Sequence, residues 1–167
     1  TLVQHPIGFA EHIVSGEFVA IWEDMAARLA RVFQTEGEVL IYAASGTGAM
    51  SSAVANLAAP GERVLVASCG HFGNRWASIA KDHGLDVAHV EGEWGQPVDP
   101  QAVADALAAE PGIEVVFTTH SETSTGAVSD LPALREAVGD RILVVDAVSG
   151  LGVVDLPKDR WGIDVVV

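Results

Sequence analysis

Two apolar patterns alternate along this chain. Short runs rich in Val, Ile and Leu read as buried strands, and longer stretches with apolar positions three and four apart read as helices. Phe18, Ile21, Trp22, Met25, Leu29, Val32 and Phe33 form the first helical face. They predict an amphipathic helix from Phe18 to Phe33, with Ser15 as a candidate cap and Gly37 as its stop. Val39-Leu40-Ile41-Tyr42 reads as a first buried strand. The small-residue turn Ser45-Gly46-Thr47-Gly48 follows, and Ala49 to Leu57 reads as a helix. Further strands are expected at Arg63–Ser68, Asp86–Val90, Ile113–Thr118 and Arg141–Val145, with a last one from Asp164. A helix entered from the loop Gly70–Arg75 runs to about His83. Another, Gln101–Ala109, follows the cap and first-turn pair Asp99-Pro100. Asp130 caps one through Val138. The alternation predicts an α/β fold with three αβα layers and a mainly parallel central sheet. Residues 1–17 lack a clear period and read as an N-terminal segment; 18–167 read as one domain.

Ligands of such sheets gather beyond the carboxyl ends of the strands. Ser45 to Ala49, His71 and Phe72, Thr119 to Thr125, and Asp146 all follow strand ends. Pro60-Gly61 and Pro111-Gly112, at the other edge, are plain turns. A strand feeding a glycine turn feeding a helix presents unpaired N–H groups and a helix dipole, which favour a phosphate. Asp146 ends an apolar strand, so its carboxylate is expected to be partly buried and to need a partner. A protonated ring nitrogen would serve. So would backbone N–H groups at the strand end, and the residues alone leave both readings open.

Composition narrows the classes. The formal net charge is −14, from 23 acidic and 9 basic residues, with no basic patch. Nucleic-acid binding is therefore not expected. No apolar run approaches the ~20 residues of a membrane span, and no basic, apolar leader opens the sequence. The single cysteine, Cys69, excludes an internal disulfide and fits a reducing compartment, the cytoplasm. It reads as a small buried residue rather than a nucleophile. The six histidines show no zinc spacing, so no metal site is expected. Gly46-x-Gly48 lacks a third glycine, since Ser51 stands there, and the Gly-Lys-Ser/Thr of a nucleotide loop is missing. Thr1 at the start and a bare apolar strand at Val165-Val166-Val167 read as an incomplete chain.

Four motifs in order carry a resemblance. They are Ser45-Gly46-Thr47-Gly48, Cys69-Gly70-His71-Phe72-Gly73-Asn74-Arg75, Thr119-His120-Ser121-Glu122-Thr123-Ser124-Thr125-Gly126 and Val145-Asp146-Ala147-Val148-Ser149. Together the chain resembles the class V aminotransferases, pyridoxal-phosphate enzymes of fold type I. It is most similar to the alanine–glyoxylate and serine–glyoxylate (serine–pyruvate) branch. The resemblance covers nearly the whole chain, more weakly before Phe18. It implies that Thr47, Gly48 and Ala49 bind the cofactor phosphate. Phe72 would stack on the pyridine ring, where close relatives often have Trp. Val148 would pack on the other face. Thr123 would lie near the phenolic oxygen, and Asp146 would pair with the ring nitrogen and act in catalysis. The activity implied is amino transfer from alanine or serine to glyoxylate or another small 2-oxo acid, by a homodimer with its site near the subunit interface. The family's Schiff-base lysine follows the strand that begins at Asp164; Lys81 and Lys158 do not match it. The chain thus reads as part of a large cofactor-binding domain, inactive in transamination by itself. The competing expectations are another reaction on the same fold, such as a cysteine desulfurase or lyase, and an inert truncated domain.

Overall fold

Strand residues alternate between two cores, as the period of two along a strand requires. The computed structural model describes residues 15–41 and 43–167. By internal packing it divides into two units, Thr1–Tyr42 and Ala43–Val167.

In the first unit, α1 spans Gly16–Phe33. Ser15 caps it, its hydroxyl accepting the Phe18 N–H at 3.2 Å. The helix ends at Phe33 as expected, but by a different stop residue. Gln34 adopts a left-handed conformation (φ 52°) and its N–H closes onto the Ala30 and Arg31 carbonyls. Gly37 is therefore not the stop. None of the α1 residues is buried.

The strand expected at Val39–Tyr42 does not form among the described residues. Val39 to Ile41 carry no strand pairing, and Leu40 is 73% exposed. An apolar run becomes a strand only where a neighbour takes its backbone hydrogen bonds, and no described strand does. Tyr42 lies outside the described residues.

The second unit holds α2 (Gly46–Leu57), β1 (Arg63–Ser68), α3 (His71–Asp82), β2 (Asp86–Glu91), α4 (Pro100–Ala109), β3 (Val115–Thr119), the short strands β4 (Ser121–Glu122) and β5 (Ala127–Val128), α5 (Leu131–Val138), β6 (Ile142–Asp146) and β7 (Val165–Val166). Five strands form one sheet in the order β2-β1-β3-β6-β7. Every pairing in it is parallel. Leu65, Ala67, Val116, Leu143 and Val145 face one layer, where Val103 and Leu107 of α4 and Leu131, Leu134 and Val138 of α5 cover them. Val64, Val66, Val115, Phe117 and Val144 face the other, against Met50 and Val54 of α2 and Trp76, Ile79 and Ala80 of α3. The result is the expected αβα sandwich. A parallel sheet covered on both faces explains why its strands read as unbroken apolar runs.

Because all five strands run the same way, Ser68, Thr119 and Asp146 end on one edge. Two local features differ from expectation there. The glycine turn is wound into α2, whose first residue is Gly46, with Ser45 as cap. The polar run after β3, where no element was expected, forms a small antiparallel hairpin, pairing Ser121 with Val128 and Glu122 with Ala127. Gly126 turns it at φ 80°.

Candidate active site

At the start of α2 the Ser45 hydroxyl accepts the Gly48 N–H at 3.3 Å. The Ala49 N–H bonds the Ser45 carbonyl at 3.0 Å. The N–H groups of Gly46 and Thr47 have no acceptor among the described residues, so they are the donors left for an anion. Of the three residues expected to bind phosphate through this helix start, Thr47 alone keeps a free N–H. Gly48 and Ala49 lie beside it with theirs taken.

Asp146 is the last residue of β6 and 5% exposed. Its Oδ1 accepts the Val148 N–H at 2.9 Å. This is the strand-end contact that the plain reading expected. It satisfies one oxygen, and the carboxylate makes no ion pair among the described residues. Burial pushes its pKa above the ordinary carboxylate value, opposed by the Val148 N–H. The negative charge of Glu122 raises it further, while the Thr119 hydroxyl and the Arg75 charge pull it back.

Val148 ties this strand end to the helix start. A Cβ on Gly46 would stand 2.8 Å from Val148 Cγ2, so any other residue there requires the Val148 side chain to shift. The Val148 side chain is nonetheless 62% exposed, an apolar wall open to solvent at the rim. Thr123, in the hairpin turn, donates to Ser149 Oγ at 2.7 Å. Ser149 in turn donates to the Ser121 carbonyl at 2.9 Å. The hairpin and the loop after Asp146 are thereby held together.

Phe72 sits in the first turn of α3, half-buried. The expected loop at this point is already helix, which places Phe72 and Arg75 three residues apart on one helical face. The Arg75 guanidinium lies 5.2 Å from the Phe72 ring centroid. Its Nη1 donates to Thr47 Oγ1 at 2.8 Å. One side chain therefore links α3 to the start of α2. Phe72, Thr123, Asp146 and Val148 thus stand at or beyond strand ends of the same edge, and Thr47, with no described strand before it, joins them through Arg75 and the Gly46–Val148 contact.

The organising residue that sequence reading passed over is Glu122. It is fully buried. Gly70, the cap position of α3, offers no side chain. Glu122 fills that role from the hairpin, accepting N–H groups of Phe72 at 3.3 Å and Gly73 at 2.8 Å. It also accepts the Ser124 N–H at 3.0 Å and the Ser124 hydroxyl at 2.5 Å. Burial alone would raise its pKa. The bonds from Ser124, Gly73 and Phe72 outweigh that and hold the carboxyl below its ordinary value. The available signal was a lone acid inside a run of hydroxyl residues, beside a helix start without a capping side chain.

A Cβ on Gly70 would lie 2.6 Å from Glu122 Cδ and 2.7 Å from Ser124 Oγ. Gly70→Ala should therefore destabilise the protein by about 1–3 kcal/mol through overpacking. Urea denaturation of the variant checks this.

Comparisons with known proteins agree on the lineage. A family model described as "Aminotransferase class-V" matches residues 8–167. The soluble hydrogenase small subunit of a Synechococcus is 44% identical over 172 residues, covering 99% of this chain and 44% of that protein. The L-aspartate–glyoxylate aminotransferase of Paracoccus denitrificans is 40% identical over 139 residues, covering 80% of this chain and 35% of that protein. The crystal structure of alanine–glyoxylate aminotransferase from Nostoc superposes with a TM-score of 0.83 at 32% identity, over 91% of this chain and 41% of that one. The chain spans less than half the length of these relatives. With the parallel sheet, its shared rim and a family model running through nearly the whole sequence, this chain belongs to the class V aminotransferases.

Proposed function

We propose that the complete protein carrying this chain is a pyridoxal-phosphate-dependent aminotransferase, moving an amino group from a small amino acid to glyoxylate or a similar small 2-oxo acid. The observation that carries the reading is Asp146. A buried carboxylate with a raised pKa and no ion pair among the described residues is costly to keep charged. A protonated ring nitrogen placed there would supply the missing partner. The rest of the rim fits the same molecule: two free helix N–H groups and the Thr47 hydroxyl for a phosphate, Phe72 and Val148 as apolar walls, and Thr123 as a hydroxyl within the rim.

The roles of the chain's residues follow. When bound, pyridoxal phosphate supplies an electron sink for the bond broken at the substrate carbon. Asp146 holds a proton on the ring nitrogen. Phe72 and Val148 keep water from the two ring faces, and Thr47 anchors the phosphate end with the start of α2. No lysine of this chain matches the family's covalent anchor. Lys81 is exposed near the end of α3 and Lys158 pairs with Asp159 at 3.2 Å. Proton transfer at the substrate carbon is assigned to a residue of the complete protein outside this chain. The reading carries with it a homodimer, as the resemblance implies.

The relatives' names differ on the amino donor, aspartate in one and alanine in another, and the resemblance adds serine. The name of the Synechococcus relative points to hydrogen metabolism, which nothing at this rim favours. A desulfurase on the same fold would place His on the ring. Here His71 is exposed, edge-on to Phe72 at 5.2 Å between centroids, and Phe72 holds the more buried position. The test is an amino-donor panel with glyoxylate, following the pyridoxal absorbance of the complete protein. Alanine or serine is expected to shift the spectrum and support turnover. A spectrum indifferent to every amino acid would end the proposal.

A further inference from the structure

Arg75 is half-buried on α3 and makes three contacts, none of them with a carboxylate. Nη1 donates to Thr47 Oγ1 at 2.8 Å and Nη2 to His71 Nε2 at 3.3 Å. The guanidinium plane lies over Phe72. Acids outnumber bases in this chain by 23 to 9. A guanidinium kept half-buried with no carboxylate in hydrogen-bond contact, its charge felt by Asp146 only through space, is therefore out of the ordinary for it.

The hydrogen-bond polarity at Thr47 is decisive. A guanidinium only donates, so Thr47 Oγ1 must accept from Arg75. Its own O–H is then turned away, and it finds no acceptor among the described residues. The result is a hydroxyl held as a donor, one residue into a helix whose first N–H groups are also free.

We propose that Arg75 is a positioning residue for phosphate recognition, fixing the Thr47 hydroxyl as a donor to the phosphate end of the cofactor. This rests on the pyridoxal-phosphate reading. Arg75 acts through Thr47, while its stacking on Phe72 sets where the guanidinium lies. A lysine could supply charge here but not the planar fork that reaches Thr47 and His71 together.

The test compares pyridoxal phosphate with pyridoxal, which lacks the phosphate, in tryptophan-fluorescence titrations of the complete apoprotein. Arg75→Met is expected to weaken pyridoxal phosphate by about 10–100-fold, the loss of a charge-assisted hydrogen bond. Pyridoxal should change by less than about threefold, since it offers Thr47 no phosphate partner. Thr47→Val should reproduce the selective loss, and the double variant should add little to either single one. Arg75→Lys should fall between. Equal losses for both ligands, an unchanged preference in Arg75→Met, or fully additive losses would each overturn the inference. Should Arg75→Met fail to fold by circular dichroism, Thr47→Val decides alone, and retention of the wild-type preference refutes the role. A wild-type apoprotein with no preference for the phosphorylated form would instead remove the cofactor reading.

Discussion

Asp146→Ala in the complete protein is expected to leave pyridoxal phosphate bound and to lower turnover by about 10²–10³-fold, the usual cost of removing one preorganised electrostatic contact. Binding survives because the phosphate end is held elsewhere, at Gly46, Thr47 and the start of α2. The companion variant Asp146→Asn separates catalysis from folding. Burial raises the Asp146 pKa, so the folded protein binds this proton more readily than the unfolded chain does. Stability from this group therefore falls as pH rises from the ordinary carboxylate value through the raised one. Above the raised value the apoprotein carries that cost in full. Asn keeps an acceptor for the Val148 N–H and carries no charge. Apo Asp146→Asn should then melt no lower than the wild type while turnover still collapses. Turnover within threefold of wild type would refute the pairing role. A clearly less stable Asn variant would show that the carboxylate serves the strand end instead.

Much of this rim was legible because parallel strands announce themselves. Val64 to Ala67 and Leu143 to Val145 are buried on both faces, so their sequences are apolar without interruption, and the residue after each run must stand at the rim. Asp146 and Phe72 stand on that edge for this reason, whereas the start of α2 reaches it through Arg75 and Val148 and not from the strand expected before it. The same pattern misplaced Val39–Ile41, equally apolar, because a strand also needs a partner and the run itself cannot say whether one exists. The end of α1 at Phe33 was legible. Gly37 reads as its stop because glycine is the favoured left-handed residue, yet Gln34 takes that conformation first. The hairpin of Ser121 to Val128 stayed hidden for a different reason. Its strands have two residues each, too short to show a period, and its stability comes from Glu122 reaching across to another helix. A contact between residues some fifty positions apart leaves no local pattern, so the carboxylate that seats Phe72 looked like one polar residue among many.

That carboxylate carries the second large expectation: Glu122→Ala should destabilise the protein by about 3–5 kcal/mol. Four donors converge on it, three of them backbone N–H groups of Phe72, Gly73 and Ser124. Alanine would leave the buried Gly73 N–H and the part-buried Phe72 and Ser124 N–H groups without this acceptor, each costing up to about 1–3 kcal/mol unless water enters. Glu122→Gln should cost less than Ala, since one amide oxygen still accepts, but its NH₂ would face donors. The pH dependence distinguishes charge from shape. The folded Glu122 carboxyl lies below its ordinary value. Its contribution is therefore complete above the unfolded value and is lost as pH falls through the folded one. The stability gap between wild type and Glu122→Gln should be widest near neutral pH and close in acid, measured by urea denaturation of the apoprotein across that range. A gap that does not change with pH would mean that the ionised form is not what the helix start requires. The two buried acids thus pull in opposite directions with pH. Glu122 is stabilised as an anion by the protein's own N–H groups and fixes the wall of the site. Burial makes the anionic form of Asp146 costly, a cost that a cation brought in from outside would relieve.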